Sequence, residues 1–445
     1  MADPEIGVTP YWELTFDADG DVDGPQRDRL LAEAGQRGVR DLVVFAHGWN
    51  NDRSGANRLY SRFFAPFPTL APRARLGYVG VLWPSMRFSD EPIPDLPRSV
   101  ADGVSGVPAT ARPVLDKGTR HALLEVFPGR ATVVDQLARL LDQQPAEAAS
   151  LEEFGRLVRL LVEMRPRGPQ AAFAADTLSE GVPQSDPEML FGDTGAMCGE
   201  FAAALAQVEG GAAGAEAVAA QPRLWDGGKE LLRQATYFAM KRRAGTVGER
   251  GLGRALGELA RTAPDVRVHL VGHSFGARLV SFALRGLPEG VHTVKSVTLL
   301  QGAFSHYAFA ARLPHDDRAS GVLHGQHKRV DGPLVCCHSR HDSALGTFYP
   351  LASRMAGDSR SITGFGIGSV LGTKWGALGY DGVQAVKGTR SFTLSEALRA
   401  QLPASGCVNI DAAAVVKRGG PPSGALSDIC HGELARVVLA AGRIT

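Results

Sequence analysis

The sequence predicts an α/β fold, a mainly parallel sheet flanked by helices and interrupted by one long helical insertion. Three observations predict it. Short, continuous apolar runs recur along the chain, as strands buried on both faces require. Helical patterns separate most of these runs, which implies parallel pairing. One interval between two runs is far longer than a crossover needs.

In chain order, TPYWELTFD (9–17) alternates as a first strand, and residues 25–38 have a helical pattern. Apolar runs follow at 42–46 (LVVFA) and 78–83 (YVGVLW), the second bounded by Gly77 and Pro84. Further runs lie at 266–271, 297–300, 334–337 and 408–410. Between Pro84 and Asp265 stand 180 residues, where a parallel crossover takes about a dozen. Their pattern is helical. Residues 132–141 place Val133, Val134, Leu137, Leu140 and Leu141 at helix spacing. Ser150-Leu-Glu-Glu153 has the form of a capping box opening a helix through Leu161, and Pro166-Arg-Gly-Pro169 ends it. Residues 209–220 (EGGAAGAEAVAA) suit a linker or a weak helix, and 229–261 suit crossover helices returning to the sheet. The expected division is a core in two parts, 1–84 and 228–445, with a helical cap at 85–227 inserted between them. No internal repeat is evident.

Composition narrows the function classes. Hydrophobic residues make up 44% of the 445, enough to bury a sizeable core. Lys and Arg (48) nearly balance Asp and Glu (47), so nothing favours nucleic acid or an anionic membrane as partner. No run approaches the 18 or so apolar residues of a membrane helix, and the N-terminal residues lack the pattern of a secretory signal. Five irregularly spaced cysteines argue against a disulfide framework. The expectation is a cytoplasmic protein without integral membrane association.

The chemistry centres on VRVHLVGHSFGARLV (266–280). In a chain with 53 glycines, Gly272-His-Ser-Phe-Gly276 alone is weak; context strengthens it. A strand-like run precedes Ser274 and a helical pattern follows, and a sharp strand-to-helix turn lifts a serine hydroxyl above the sheet edge. Gly272 and Gly276 supply the small residues that such a turn needs, and His273 completes it.

On these residues the chain resembles the α/β-hydrolases, in particular poorly characterised bacterial serine hydrolases with a large helical insertion before the nucleophile strand. The resemblance covers the strands on both sides of the insertion. It implies an α/β-hydrolase fold, Ser274 as nucleophile, and the chain order nucleophile, acid, histidine, with an oxyanion loop earlier. Of the 12 histidines only His431 lies beyond the candidate acid, in a loop just before a helical stretch. The implied acid is Asp342, directly after an apolar run. Asp316, Asp317, Asp331, Asp358, Asp381, Asp411 and Asp428 compete with it. Asp411 also follows an apolar run, and Asp428 is near His431 in sequence, which does not establish pairing. The implied oxyanion donors are the backbone N–H groups of Phe275 and of Trp49, in HGWNND (47–52). There His47 braces the loop and Gly48 lets it turn.

The reaction so implied is cleavage of a carboxylic ester or related acyl compound, esterase- or lipase-like, on a small-molecule or lipid-like acyl substrate without a cofactor. A hydrolase-shaped binding or scaffold protein, an acyltransferase using the same three residues, and a metal-assisted hydrolase are the alternatives. Cys337, His338, His341 and Asp342 resemble a ligand cluster, but neighbours on an extended segment point to opposite faces, so no metal site is expected. GLGRALG (251–257) follows no strand and carries no nucleotide site. Lys241-Arg-Arg243 is expected to be a solvated helix face, and residues 364–372 (GFGIGSVLG) a glycine-rich loop.

Overall fold

The computed structural model describes residues 6–49, 51–86, 88, 114–162, 169–184, 190, 192–213, 224–342, 344–348, 376–419 and 424–445. The glycine-rich 364–372, Asp358, and 214–220 of the expected linker lie outside these.

The chain begins β1 (Tyr11–Thr15), α1 (Gly24–Gln36), β2 (Asp41–Ala46), α2 (Arg53–Phe64), α3 (Phe67–Leu70) and β3 (Leu76–Leu82). The insertion then supplies α4 (Lys117–Val126), α5 (Ala131–Gln143), α6 (Ala148–Leu161) and α7 (Pro169–Ala174). A hairpin, β4 (Thr177–Ser179) and β5 (Val182–Gln184), precedes α8 (Thr194–Ala213) and α9 (Leu224–Thr246). After a π-helical turn, Val247–Leu252, α10 (Gly253–Thr262) leads to β6 (Arg267–His273) and α11 (Phe275–Gly286). The rest is β7 (Val294–Leu300), β8 (Ala319–Gly321), β9 (Pro333–His338), α12 (Leu378–Asp381), β10 (Arg390–Thr393), α13 (Leu394–Ala397), β11 (Gly406–Asp411) and α14 (Gly432–Gly442).

Eight strands form one sheet in the order β1-β3-β2-β6-β7-β9-β11-β10, and every neighbouring pair runs parallel. The apolar runs are buried on both faces for the expected reason. Val43 and Phe45 of β2 join a core with α2, α3 and α14, while Leu42, Val44 and Ala46 face the opposite core with α1, α10 and α11. Cys336 and Cys337 likewise pack into opposite cores. From β2 the chain crosses by α2 on one face, and from the adjacent β6 by α11 on the other. That reversal makes a topological switch point at the carboxyl ends of β2 and β6, the usual ligand position in an open α/β sheet.

Among the described residues, the core of the insertion is continuous with that of the sheet. Leu123, Val134, Phe154 and Phe201 from its helices belong to the same buried cluster as Val268, Leu270 and Phe282 of the sheet and α11. The expected boundary at 227/228 falls inside α9. The hairpin β4–β5 pairs through β4 with β8, antiparallel, from the other side of the sheet's sequence.

Two local expectations are corrected. The helix α6 begins at Ala148, so the Ser150 N–H already bonds the Glu147 carbonyl, and Glu153 bonds Arg156 instead of closing a capping box. Lys241 is not solvated: its ammonium is buried 2.8 Å from Asp176, and burial lowers its pKa. Asp176 also takes an ion pair from the fully buried Arg278, whose remaining guanidinium donors reach the carbonyls of Lys241, Phe173 and Ala175. The Ser305 N–H adds a contact of 3.2 Å to the same carboxylate.

Candidate functional site

Ser274 stands between the end of β6 and the start of α11, with φ 54° and ψ −117°. A positive φ is costly for a residue with a Cβ, so the surrounding packing must impose it. The two flanking glycines show how. A Cβ on Gly272 would overlap the Gly276 carbonyl and sit 2.5 Å from the Ala277 Cα. One on Gly276 would overlap the Ala46 carbonyl and sit 2.5 Å from the His47 oxygen. The turn therefore closes only with hydrogen at both positions. Ser274 is 5% exposed, and its hydroxyl bonds no described residue.

The loop after β2 is pressed against this turn. A Cβ on Gly48 would lie 2.7 Å from the Ser274 Cβ and 3.1 Å from the His273 Nδ1. His47 fixes the loop from behind. Its ring stacks on Trp83 at 5.6 Å, its Nδ1 donates to the Gly48 carbonyl at 2.9 Å, and the Trp83 indole donates to the His47 carbonyl at 2.9 Å. The Trp49 ring rests on Phe275 and Tyr237. The N–H of Phe275, first in its helix, and the N–H of Trp49 donate to no described residue. Two main-chain donors, one directly after Ser274 and one directly after the Gly48 that packs on it, thus have no partners among the described residues.

His431 is the residue before α14, and its Nε2 lies 2.8 Å from Asp428 Oδ1. The second Asp428 oxygen accepts the N–H groups of Lys417 (3.0 Å) and Arg418 (2.8 Å). The loop carrying this pair is tied to the serine turn, because the His273 Nε2 donates to the Leu426 carbonyl at 2.7 Å. Burial holds His47 and His273 near pKa 4, so both are neutral at neutral pH.

Asp342 is placed differently. It is fully buried, and its carboxylate accepts from the Gln301 amide (3.0 Å) and the Leu345 N–H (3.0 Å). No bond joins it to His431 among the described residues. Burial raises its pKa to about 7. Asp411, at the end of β11, accepts from the Ala413 N–H. The carboxylate brought to His431 is therefore the sequence neighbour Asp428. Among the described residues, no group of three His, Cys, Asp or Glu side chains is placed to hold a metal ion, and no helix is long and apolar enough to cross a membrane.

A second Ser–His–Asp sequence lies at the other end of the sheet, unseen in the sequence. His269 Nε2 meets Asp41 at 3.0 Å, and Ser296 Oγ meets His269 Nδ1 at 2.8 Å. All three are buried, Arg267 also pairs with Asp41, and the end of α14 covers the ring through Gly442. Substrate has no approach to it.

Comparison with protein-family models, with curated proteins and with solved structures finds no match.

The buried groups make a pH prediction. Unfolded, His47 and His273 bind protons below about pH 6.5, while folded they stay neutral to about 4. Acid therefore favours the unfolded chain through both. Asp342 acts oppositely: between about 3.8 and 7 the folded chain holds its proton and the unfolded chain does not. The net difference from these three groups is one proton, so they alone should make stability fall by about 1.4 kcal/mol per pH unit between roughly pH 6 and 4.5. His269 and His338, also lowered by burial, add in the same direction. In Asp342→Asn the opposing proton is gone, and the slope should steepen by about another 1.4 kcal/mol per unit. Denaturant titrations across that range measure both slopes; an unchanged slope in the variant contradicts the assignment.

Proposed function

We propose that the protein is a serine hydrolase that cleaves carboxylic esters or related acyl compounds through an acyl-serine intermediate. The observation that carries this reading is the backbone of Ser274, held at positive φ on a strand-to-helix turn beside two N–H groups with no partners. Strain of that kind persists only where the surrounding structure imposes it, and it clusters at active sites. The N–H groups of Phe275 and Trp49 would receive the charge that develops on the substrate oxygen. His431 takes the Ser274 proton as the oxygen attacks the carbonyl, then gives it to the leaving group. Water activated by the same ring releases the acid. The ring and serine are not bonded in the free protein, and such bonds commonly tighten when substrate enters.

A fluorophosphonate probe tests this directly. The native chain should be labelled at Ser274, and Ser274→Ala should lose both labelling and turnover of short-chain aryl esters, a drop of at least about 10³-fold. Equal labelling of the two proteins would sink the proposal.

A further inference from the structure

We infer that the carboxylate that orients His431 is Asp428, from the same loop, and that the ring takes the Ser274 proton on Nδ1 rather than Nε2. This rests on the acyl-serine reading above. It departs from the chain-order expectation, which puts the acid at Asp342.

The hydrogen bonds fix the tautomer. A carboxylate only accepts, so at 2.8 Å from Asp428 Oδ1 it is His431 Nε2 that carries the proton. The lone pair of the neutral ring is then on Nδ1, which has no partner among the described residues. Asp428 is itself held, since Lys417 and Arg418 donate their N–H groups to its other oxygen. The helix start holds the base, because the His431 carbonyl accepts the N–H groups of Leu434 and Ala435. The loop just ahead of the acid meets the serine turn at Leu426. Asp342, in contrast, uses its oxygens on Gln301 and Leu345 and its carbonyl on the Gly346 N–H, which makes it part of the turn after β9.

In the chemical step the Ser274 O–H bond breaks and its proton goes to Nδ1. The Oγ–carbon bond forms, and the carbonyl electron pair moves onto the substrate oxygen. The ring is then an imidazolium with Nε2–H still on Asp428, a cation beside a fixed carboxylate. Collapse returns the carbonyl, and Nδ1 passes the proton to the departing oxygen. Asp428 touches neither substrate nor serine; it is a positioning residue.

The substitution Asp428→Asn makes a sharp test. The two backbone donors demand an acceptor, so the carboxamide oxygen stays on Lys417 and Arg418 and the NH₂ turns to His431. Nε2 must then accept, and the proton moves to Nδ1, leaving no lone pair for the serine. Nitrogen-15 NMR of the full chain at about pH 8, with the His431 signals assigned by their loss in His431→Gln, should show a protonated Nε2 in the native protein and a protonated Nδ1 in Asp428→Asn. Fluorophosphonate labelling should slow by at least about 10²-fold in Asp428→Asn and by less than about tenfold in Asp342→Asn. A protonated Nδ1 in the native protein, or the larger loss in Asp342→Asn, would overturn the inference. Labelling that survives Ser274→Ala would instead remove the hydrolase reading, and the tautomer measurement would still decide the pairing.

Discussion

Gly276→Ala is expected to cost at least about 3 kcal/mol of stability and to remove whatever activity Ser274 supports. The added methyl meets two carbonyl oxygens, those of Ala46 and His47, and both belong to backbone that a side-chain rotation does not clear. Either α11 lifts from the end of β2, or the loop carrying Gly48 and Trp49 moves away from the serine. Both changes misplace the two N–H donors. Gly432→Ala is the matched control, because nothing lies within 4 Å of its added Cβ, at the first turn of α14. There alanine should be neutral or stabilising by a few tenths to about 1 kcal/mol. Equal denaturation midpoints for the two variants would mean that the turn is not packed as described.

The second large effect is expected at Asp176. Replacing it with alanine leaves the Arg278 guanidinium and the Lys241 ammonium buried together without their shared carboxylate. Stranding buried charge in this way typically costs about 3–5 kcal/mol. Because Arg278 lies one helical turn after Ser274, the loss should also loosen α11, visible as faster amide exchange across 275–286. The replacement Asp176→Asn keeps the volume and the contact to the Ser305 N–H while removing the charge, so it separates electrostatics from packing. A loss under about 1 kcal/mol for alanine would show that water or other groups already compensate the cations.

Much of the sheet was legible because burial on both faces leaves no polar alternation to disguise a strand. The run 42–46 and the runs at 78–83 and 266–271 mark β2, β3 and β6 within a few residues. The strand β10 was not legible. It is an edge strand whose Arg390, Ser391 and Thr393 are exposed, so neither an apolar run nor a clean alternation marks it. The serine turn was readable because glycine at both flanks is a local steric demand. The carboxylate that bonds His431 was not, since chain order says which loop should hold a carboxylate but not where the side chain turns. Asp428 is only three residues from His431, and its orientation depends on Lys417 and Arg418, which no spacing rule links to it. The Asp176 cluster left one usable sign, Arg278 among the apolar and small residues of FGARLV (275–280), which called for a buried partner somewhere in the chain.

The helix that leaves the insertion does not stop at its edge. From Leu224 the hydrogen-bonded spiral continues through the π turn to Thr262, so one stiff rod runs from the inserted segment to the foot of β6. Together with the shared apolar interior and the Asp176 bridge, this couples the described part of the insertion to the sheet, so that a displacement of one is passed on to the other.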